Sequence, residues 1–254
     1  MLDQFLTAGL FAYMLVFARV GAAITLLPGF GEAYVSPRIR LSIALVIALV
    51  VTPLVAGQLP ALPGSVWSMF LLIFTEVVIG LLFGSVARLL VTGLQTAGMI
   101  IAFQTSLASA LINDPASAQQ GSIIGNFFIA MGVLLIFMTD MHHMLLGGLV
   151  DSYSLFNPGV MPPAGDMAEM ITRVIAASFN TAMQISAPYI VIGLVFYLGL
   201  GLLARLMPQV QVFFIAIPLQ ILLSFVVMLL TISAAMMWFL DRFDATMGGF
   251  LAPV

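Results

Sequence analysis

Cysteine is missing from this sequence and so is lysine; all seven basic residues are arginine. Without a thiol there is no disulfide framework, no thiolate metal site and no cysteine nucleophile, and the redox compartment leaves no mark. The arginines (Arg19, Arg38, Arg40, Arg88, Arg173, Arg205 and Arg242) are scattered, and against ten acids they leave a net charge of -3. That balance excludes a nucleic-acid surface, which needs clustered positive charge. Charge of either sign is scarce: 7% of residues are charged and 63% are apolar, against about 25% and about 45–50% in soluble domains. A freely soluble globular protein is excluded. The charge-free runs Leu41 to Thr75, Leu89 to Asn113, Pro115 to Thr139, Val174 to Ala204 and Leu206 to Leu240 supply several membrane crossings at about 20 residues each. With a mean hydropathy of +1.22, this is the sequence of an integral membrane protein.

Turn signals divide the apolar chain into six expected spans. Phe5 to Leu27 is closed by Pro28-Gly29-Phe30-Gly31, Leu41 to Gly57 is short, and Val66 to Gly93 carries Glu76 and Arg88. Gln95 to Gln120 is charge-poor but rich in Thr, Ser, Ala, Asn and Gln and closes on Asn113-Asp114-Pro115, so it is expected not to face lipid. Ser122 to Leu149 is the fourth span, followed by a polar loop from Asp151 to Glu169. Val174 to Ala204 and Gln209 to Leu240 contain Pro188 and Pro218 and meet at Arg205-Leu206-Met207-Pro208. Each would be roughly 45 Å long if fully helical, against a hydrocarbon core of about 30 Å, which predicts a long kinked hairpin. Laid flat in a bilayer, Arg38, Arg40, Arg88 and Arg205 fall on the cytoplasmic side and both termini outside. The start, Met1-Leu2-Asp3-Gln4-Phe5, has an acid where a signal peptide is basic, and the first segment is expected to be retained.

An ionisable residue inside the membrane costs about 2.5–3.5 kcal/mol on insertion scales unless it is paired or hydrated, which singles out Arg19, Glu76 and Arg88. Glu76 and Arg88 lie about 18 Å apart along one helix, so their partners must come from another segment or subunit. A structural ion pair ranks ahead of a proton relay. Asp140, His142 and His143 invite a metal reading, but adjacent histidines diverge by about 100° on a helix, no further His or Cys exists, and HExxH is absent. The expectation is no metal and no cofactor. Neither a nucleophile elbow nor a spaced pair of membrane aspartates is present, so no enzyme is expected. Gly80 with Gly84, and Gly121 with Gly125, form GxxxG pairs that suit either intrachain packing or a subunit contact.

Four blocks resemble the flagellar biosynthetic protein FliR family and its type III secretion counterparts. They are Phe17-Ala18-Arg19-Val20-Gly21 leading to Pro28-Gly29-Phe30-Gly31 and Val35-Ser36-Pro37-Arg38-Ile39-Arg40; Glu76 to Gly84; Gly98 to Pro115, with Phe103-Gln104 and Asn113-Asp114-Pro115; and Ala204-Arg205-Leu206-Met207-Pro208-Gln209 with Val212-Phe213 and Pro218 beyond. They keep the family's order across nearly the whole chain. One departure stands in the third block, where the family often carries aromatic residues and this chain has Ser109, Leu111 and Ile112.

The resemblance implies an all-α membrane protein of long kinked helical hairpins, with a FliP-like part at 1–170 and a FliQ-like hairpin at 171–254. It implies a single-copy core subunit of the flagellar export gate in the bacterial inner membrane, at the basal body. Its partners would be FliP-like and FliQ-like subunits, FlhA-like and FlhB-like export proteins, membrane lipid, and unfolded exported proteins as substrate. The assembled family complex stands largely out of the bilayer plane, which weighs against a flat topology. The loop 104–113 would plug the conduit through Gln104, Leu107, Ala108, Ser109, Leu111, Ile112 and Asn113. Arg19, Arg38, Arg40, Glu76, Arg88, Arg205, Pro208 and Gln209 would make structural or subunit contacts. A homologous injectisome subunit, or a secondary transporter with a midplane site using Glu76 and Arg19, are the alternatives.

Overall fold

The structure is a computed structural model and describes residues 2–106, 122–207 and 212–251. Seven α-helices follow one another among these residues: α1 (Leu2–Leu26), α2 (Pro37–Val55), α3 (Val66–Gln104), α4 (Ile123–Met138), α5 (Met141–Leu155), α6 (Ala164–Leu206) and α7 (Val212–Leu251), with one 3-10 turn at Ala56–Gln58. The chain is an all-α membrane protein: five of the helices are long and apolar enough to cross a bilayer, and the bent pair α4 and α5 adds a sixth if counted as one span.

Local chemistry accounts for several of the boundaries. Pro28 ends the first apolar run, and Gly29 turns the chain at φ +82°, where a Cβ would lie 2.2 Å from the Phe137 ring. Ser36 then caps α2 by accepting the Ile39 N–H at 3.4 Å, and Pro37 at the first helical position has no N–H to leave unpaired.

Several boundaries differ from the sequence reading: α2 starts at Pro37 and not at Leu41, and α7 runs on past Leu240 to Leu251. The third helix does not stop at Gly93 but continues to Gln104, taking in the first third of the polar stretch. It does so because its small polar side chains bond to their own helix: Thr96 Oγ1 donates to the Thr92 carbonyl at 3.3 Å, and Gly98 lets another backbone come close. The span expected over Ser122 to Leu149 is broken after Met138, where the chain bends by 77° through Asp140 at φ 59°. Helix also invades both ends of the expected 151–169 loop, leaving only 156–163 outside α5 and α6. Pro188 and Pro218 both lie within uninterrupted helix.

The helices form two compact units. In the first (residues 1–89, 136–175 and 243–254), α1 buries Leu15, Val20, Ala23 and Ile24, α2 turns Ala44, Ala48, Val51 and Val55 inward, and α5 adds Leu145, Leu149 and Tyr153. These spacings of three, four and seven are the stripe a helix presents to a core. In the second unit (residues 90–135 and 176–242), α3 contributes Val91, Leu94, Ala97 and Ile101, packed with Phe128, Ala182, Ile185, Met236 and Phe239. Here Gly98 meets Gly125, with a built Cβ on Gly98 only 2.3 Å from the Gly125 Cα.

Candidate functional site

Arg19 of α1 and Glu76 of α3 form a fully buried ion pair in the first unit. Arg19 Nε donates to Glu76 Oε2 at 2.7 Å and Nη2 to Oε1 at 3.1 Å, the two-pronged match that guanidinium and carboxylate favour. The remaining donors are used as well: Nη1 reaches the Ser152 carbonyl at 3.0 Å and its hydroxyl at 3.3 Å, and Nη2 reaches the Phe156 carbonyl at 3.1 Å. The Tyr153 ring lies 3.9 Å from the guanidinium carbon, and the Gly159 N–H donates to Glu76 Oε1 at 3.2 Å. All five guanidinium N–H donors of Arg19 are matched, and both Glu76 oxygens accept at least one bond, the pattern of a structural ion pair. The arrangement joins α1, α3, α5 and the chain that follows α5.

Glycine brings the helices close enough for this. A Cβ on Gly80 would stand 2.2 Å from the Arg19 carbonyl oxygen, and one on Gly84 2.7 Å from that of Ala23. This GxxxG pair therefore serves packing within the chain.

Arg88 pairs with Glu32 in the turn between α1 and α2, where Arg40 binds the Phe30 and Glu32 carbonyls at 3.2 and 3.0 Å. The neighbouring Tyr34 hydroxyl is raised above its ordinary pKa by partial desolvation and by the Glu32 carboxylate, with Arg88 opposing. Arg38 is exposed, and so is Arg205 in the last turn of α6, where a cation suits the negative end of the helix.

At the end of α3, in the second unit, Gln104 carries a contact that sequence reasoning missed. Gln220 of α7 is only 4% exposed, and both ends of its amide are engaged. Nε2 donates to the Gln104 carbonyl and, at 3.2 Å, to the Tyr197 hydroxyl, while Oε1 accepts from Ser106 Oγ at 3.0 Å. A signal existed: Gln220 and Ser224 are the only polar side chains between Val212 and Leu230. Of the other expected plug and bend residues, Leu107, Ala108, Ser109, Leu111, Ile112, Asn113, Pro208 and Gln209 lie outside the described residues.

Asp140, His142 and His143 gather at the bend between α4 and α5, their candidate ligand atoms within 4.8 Å of one another. The imidazoles do not diverge as expected: their centroids lie 4.1 Å apart with the rings tilted by 35°, and His142 stacks on Phe137 at 4.9 Å. Nitrogens bound to one zinc at about 2.1 Å sit roughly 3.4 Å from each other, so this spread is loose for a metal centre.

Residues 10–246 match the family described as bacterial export proteins, family 1. The flagellar biosynthetic protein FliR of Caulobacter vibrioides is 39% identical over 90% of this chain and 91% of its own length. The chain belongs to the FliR family of bacterial export proteins. The FliR of Bacillus subtilis is 33% identical over 87% of this chain and 86% of that protein. The Yop proteins translocation protein T of Yersinia pestis is 26% identical over 87% of this chain and 85% of that protein. Within this FliR-family chain, Arg19, Gly80, Gly84, Gln104 and Gln220 all lie inside the matched segment.

Proposed function

We propose that this chain is a core subunit of the flagellar type III protein export gate in the bacterial inner membrane, at the basal body. With FliP-like and FliQ-like subunits it forms the conduit for unfolded flagellar proteins, next to FlhA-like and FlhB-like export proteins. Residues 1–170 act as the FliP-like part and 171–254 as the FliQ-like hairpin. The loop 104–113 closes the conduit as a plug. The role is structural and passive; the family is a component of export machinery, and no chemical step is assigned to the chain.

One observation carries the reading that partners cover this protein. On α6 the exposed apolar side chains run from Ile175 through Phe179, Val191, Leu194, Leu198 and Leu202 to Leu206, about 46 Å of helix at 1.5 Å per residue. A hydrocarbon core of about 30 Å, even with ordinary tilt, leaves part of that face to be covered by protein. The flagellar assignment over an injectisome draws support from the 39% and 33% identities to flagellar proteins, against 26% to the translocation protein.

The test is an in-frame deletion in the source bacterium. Non-motile cells without filaments and without filament protein in the medium, restored by a plasmid copy, are expected. Normal motility with loss of effector secretion would assign the chain to an injectisome, and no change in either would contradict the export reading.

A further inference from the structure

Where α1, α2 and α3 run side by side, the first unit keeps an open groove of about 680 Å³, within the about 300–1,000 Å³ of clefts that hold small ligands. No helix closes over its floor. At Gly80 and Gly84 a Cβ would strike the α1 backbone, but at Gly21, on the groove, it would meet only the Phe17 ring of its own helix, at 3.7 Å. On α1 the groove extends from Thr25 to Met14, about 16 Å at 1.5 Å per residue. That is the depth of one leaflet in a hydrocarbon core of about 30 Å.

Among the described residues that line the groove, only Thr25 and Arg40 are polar. The Thr25 hydroxyl is spent on the Ala22 carbonyl, at 2.6 Å. Arg40 donates through Nε to the Phe30 carbonyl at 3.2 Å and through Nη2 to the Glu32 and Val35 carbonyls at 3.0 and 3.5 Å, all of them neutral acceptors. The Glu32 carboxylate itself goes to Arg88. Among the described residues no carboxylate pairs with Arg40, and its Nη1 has no acceptor.

A half-buried cation without a counter-charge favours an anion. Its position along the chain says which kind. The spans of α1 and α2 end at Leu26 and Pro37, so Arg40 stands about one turn inside the edge of the apolar layer, where an arginine reaches lipid headgroups while its stem stays in hydrocarbon. A partner helix would fill the apolar part but would have to bring an acid of its own, whereas a membrane phospholipid carries the acyl chain and the phosphate in one molecule.

We propose that this groove binds one acidic phospholipid of the surrounding membrane, with an acyl chain lying along Gly21 and Val77 and the phosphate meeting Arg40 Nη1. The site stands on the groove and its cation, independently of the plug and the gate. The experiment purifies the full-length chain with the subunits it carries from the membrane, strips lipid with detergent, and titrates back phosphatidylglycerol or phosphatidylcholine with the same acyl chains. Native mass spectrometry counts bound lipid, and the difference between wild type and variant excludes lipid held by other subunits.

Wild type is expected to take one phosphatidylglycerol per copy of this chain, about tenfold more tightly than phosphatidylcholine, the scale of one hydrogen bond to a charged group. Arg40→Gln is expected to lose that preference, and Gly21→Leu to lose the site for both lipids, since its side chain would lie in the groove. Arg242→Gln, the same change of charge on exposed α7, is expected to bind as wild type does. Equal binding of the two lipids by wild type, or an unchanged preference in Arg40→Gln, would overturn the headgroup assignment. Wild-type lipid binding by Gly21→Leu would overturn the site, and loss of a protein subunit from Gly21→Leu would make the groove a protein contact instead. If Arg40→Gln does not assemble because its turn carbonyls lose their donor, Gly21→Leu decides, for it keeps Arg40 and its Cβ meets no other helix.

Discussion

Replacing Arg19 by leucine is expected to remove most of the protein from the membrane. The substitution leaves Glu76 fully buried with only the Gly159 N–H as partner and strips donors from the Ser152 and Phe156 carbonyls. Breaking a buried pair from one side costs about 3–5 kcal/mol, against a total folding stability of about 5–15 kcal/mol. Lysine is not a remedy, since a single ammonium cannot meet both carboxylate oxygens and two separate carbonyls at once. The double variant R19L/E76L is expected to recover part of the loss, because it removes the stranded charge while leaving the carbonyls unpaired. Membrane levels by immunoblot and resistance to limited proteolysis measure this. Wild-type levels for Arg19→Leu would mean that the buried pair does not hold the first unit together.

Gly80→Ala is expected to be the second most damaging change, although it adds one methyl group. The new Cβ would lie 2.2 Å from the Arg19 backbone oxygen and 2.9 Å from the Ala22 Cβ. Ordinary carbon–oxygen contacts are about 3.3–3.6 Å, so α1 and α3 must part by about 1 Å. No rotamer change relieves a clash with backbone, and overpacking of this kind costs about 1–3 kcal/mol. The same displacement pulls at the Arg19–Glu76 bonds one turn away, so the two effects compound. Gly199→Ala is the control: nothing lies within 4 Å of a Cβ there, and alanine favours helix over glycine. Proteolysis midpoints in detergent that are equal for Gly80→Ala and Gly199→Ala would contradict the close approach.

Much of this architecture is legible in the amino-acid sequence. The helical class follows from apolar runs that in lipid must satisfy their own backbone, and the end at Pro28-Gly29 follows from its turn chemistry, whereas the cap at Ser36-Pro37 starts α2 four residues before the expected Leu41. Arg19, Glu76 and Arg88 stood out as charges in apolar surroundings. Their pairing did not, because Arg19 and Glu76 are 57 residues apart and nothing in a one-dimensional pattern records which helices touch.

The extension of α3 to Gln104 was hidden by side chains that resemble a loop. The Thr96 hydroxyl bonds back to the Thr92 carbonyl of its own helix, and Gly98 and Gly125 line a seam too tight for larger residues, so the composition reflects packing and not irregular backbone. The break at Asp140 carried no glycine or proline to flag it; an aspartate takes the left-handed conformation instead. Gln220 could have been singled out as a polar residue alone in an apolar run, but its bonding to Gln104 and Ser106 spans more than 110 residues and needed the fold.

The most direct test of the central claim is native mass spectrometry, in detergent, of the tagged chain produced with and without the FliP-like and FliQ-like proteins of the same genome. The account expects one copy of this chain in a complex with several copies of each partner, and little stable protein when it is made alone. A stable monomer or homo-oligomer that ignores those partners would contradict it.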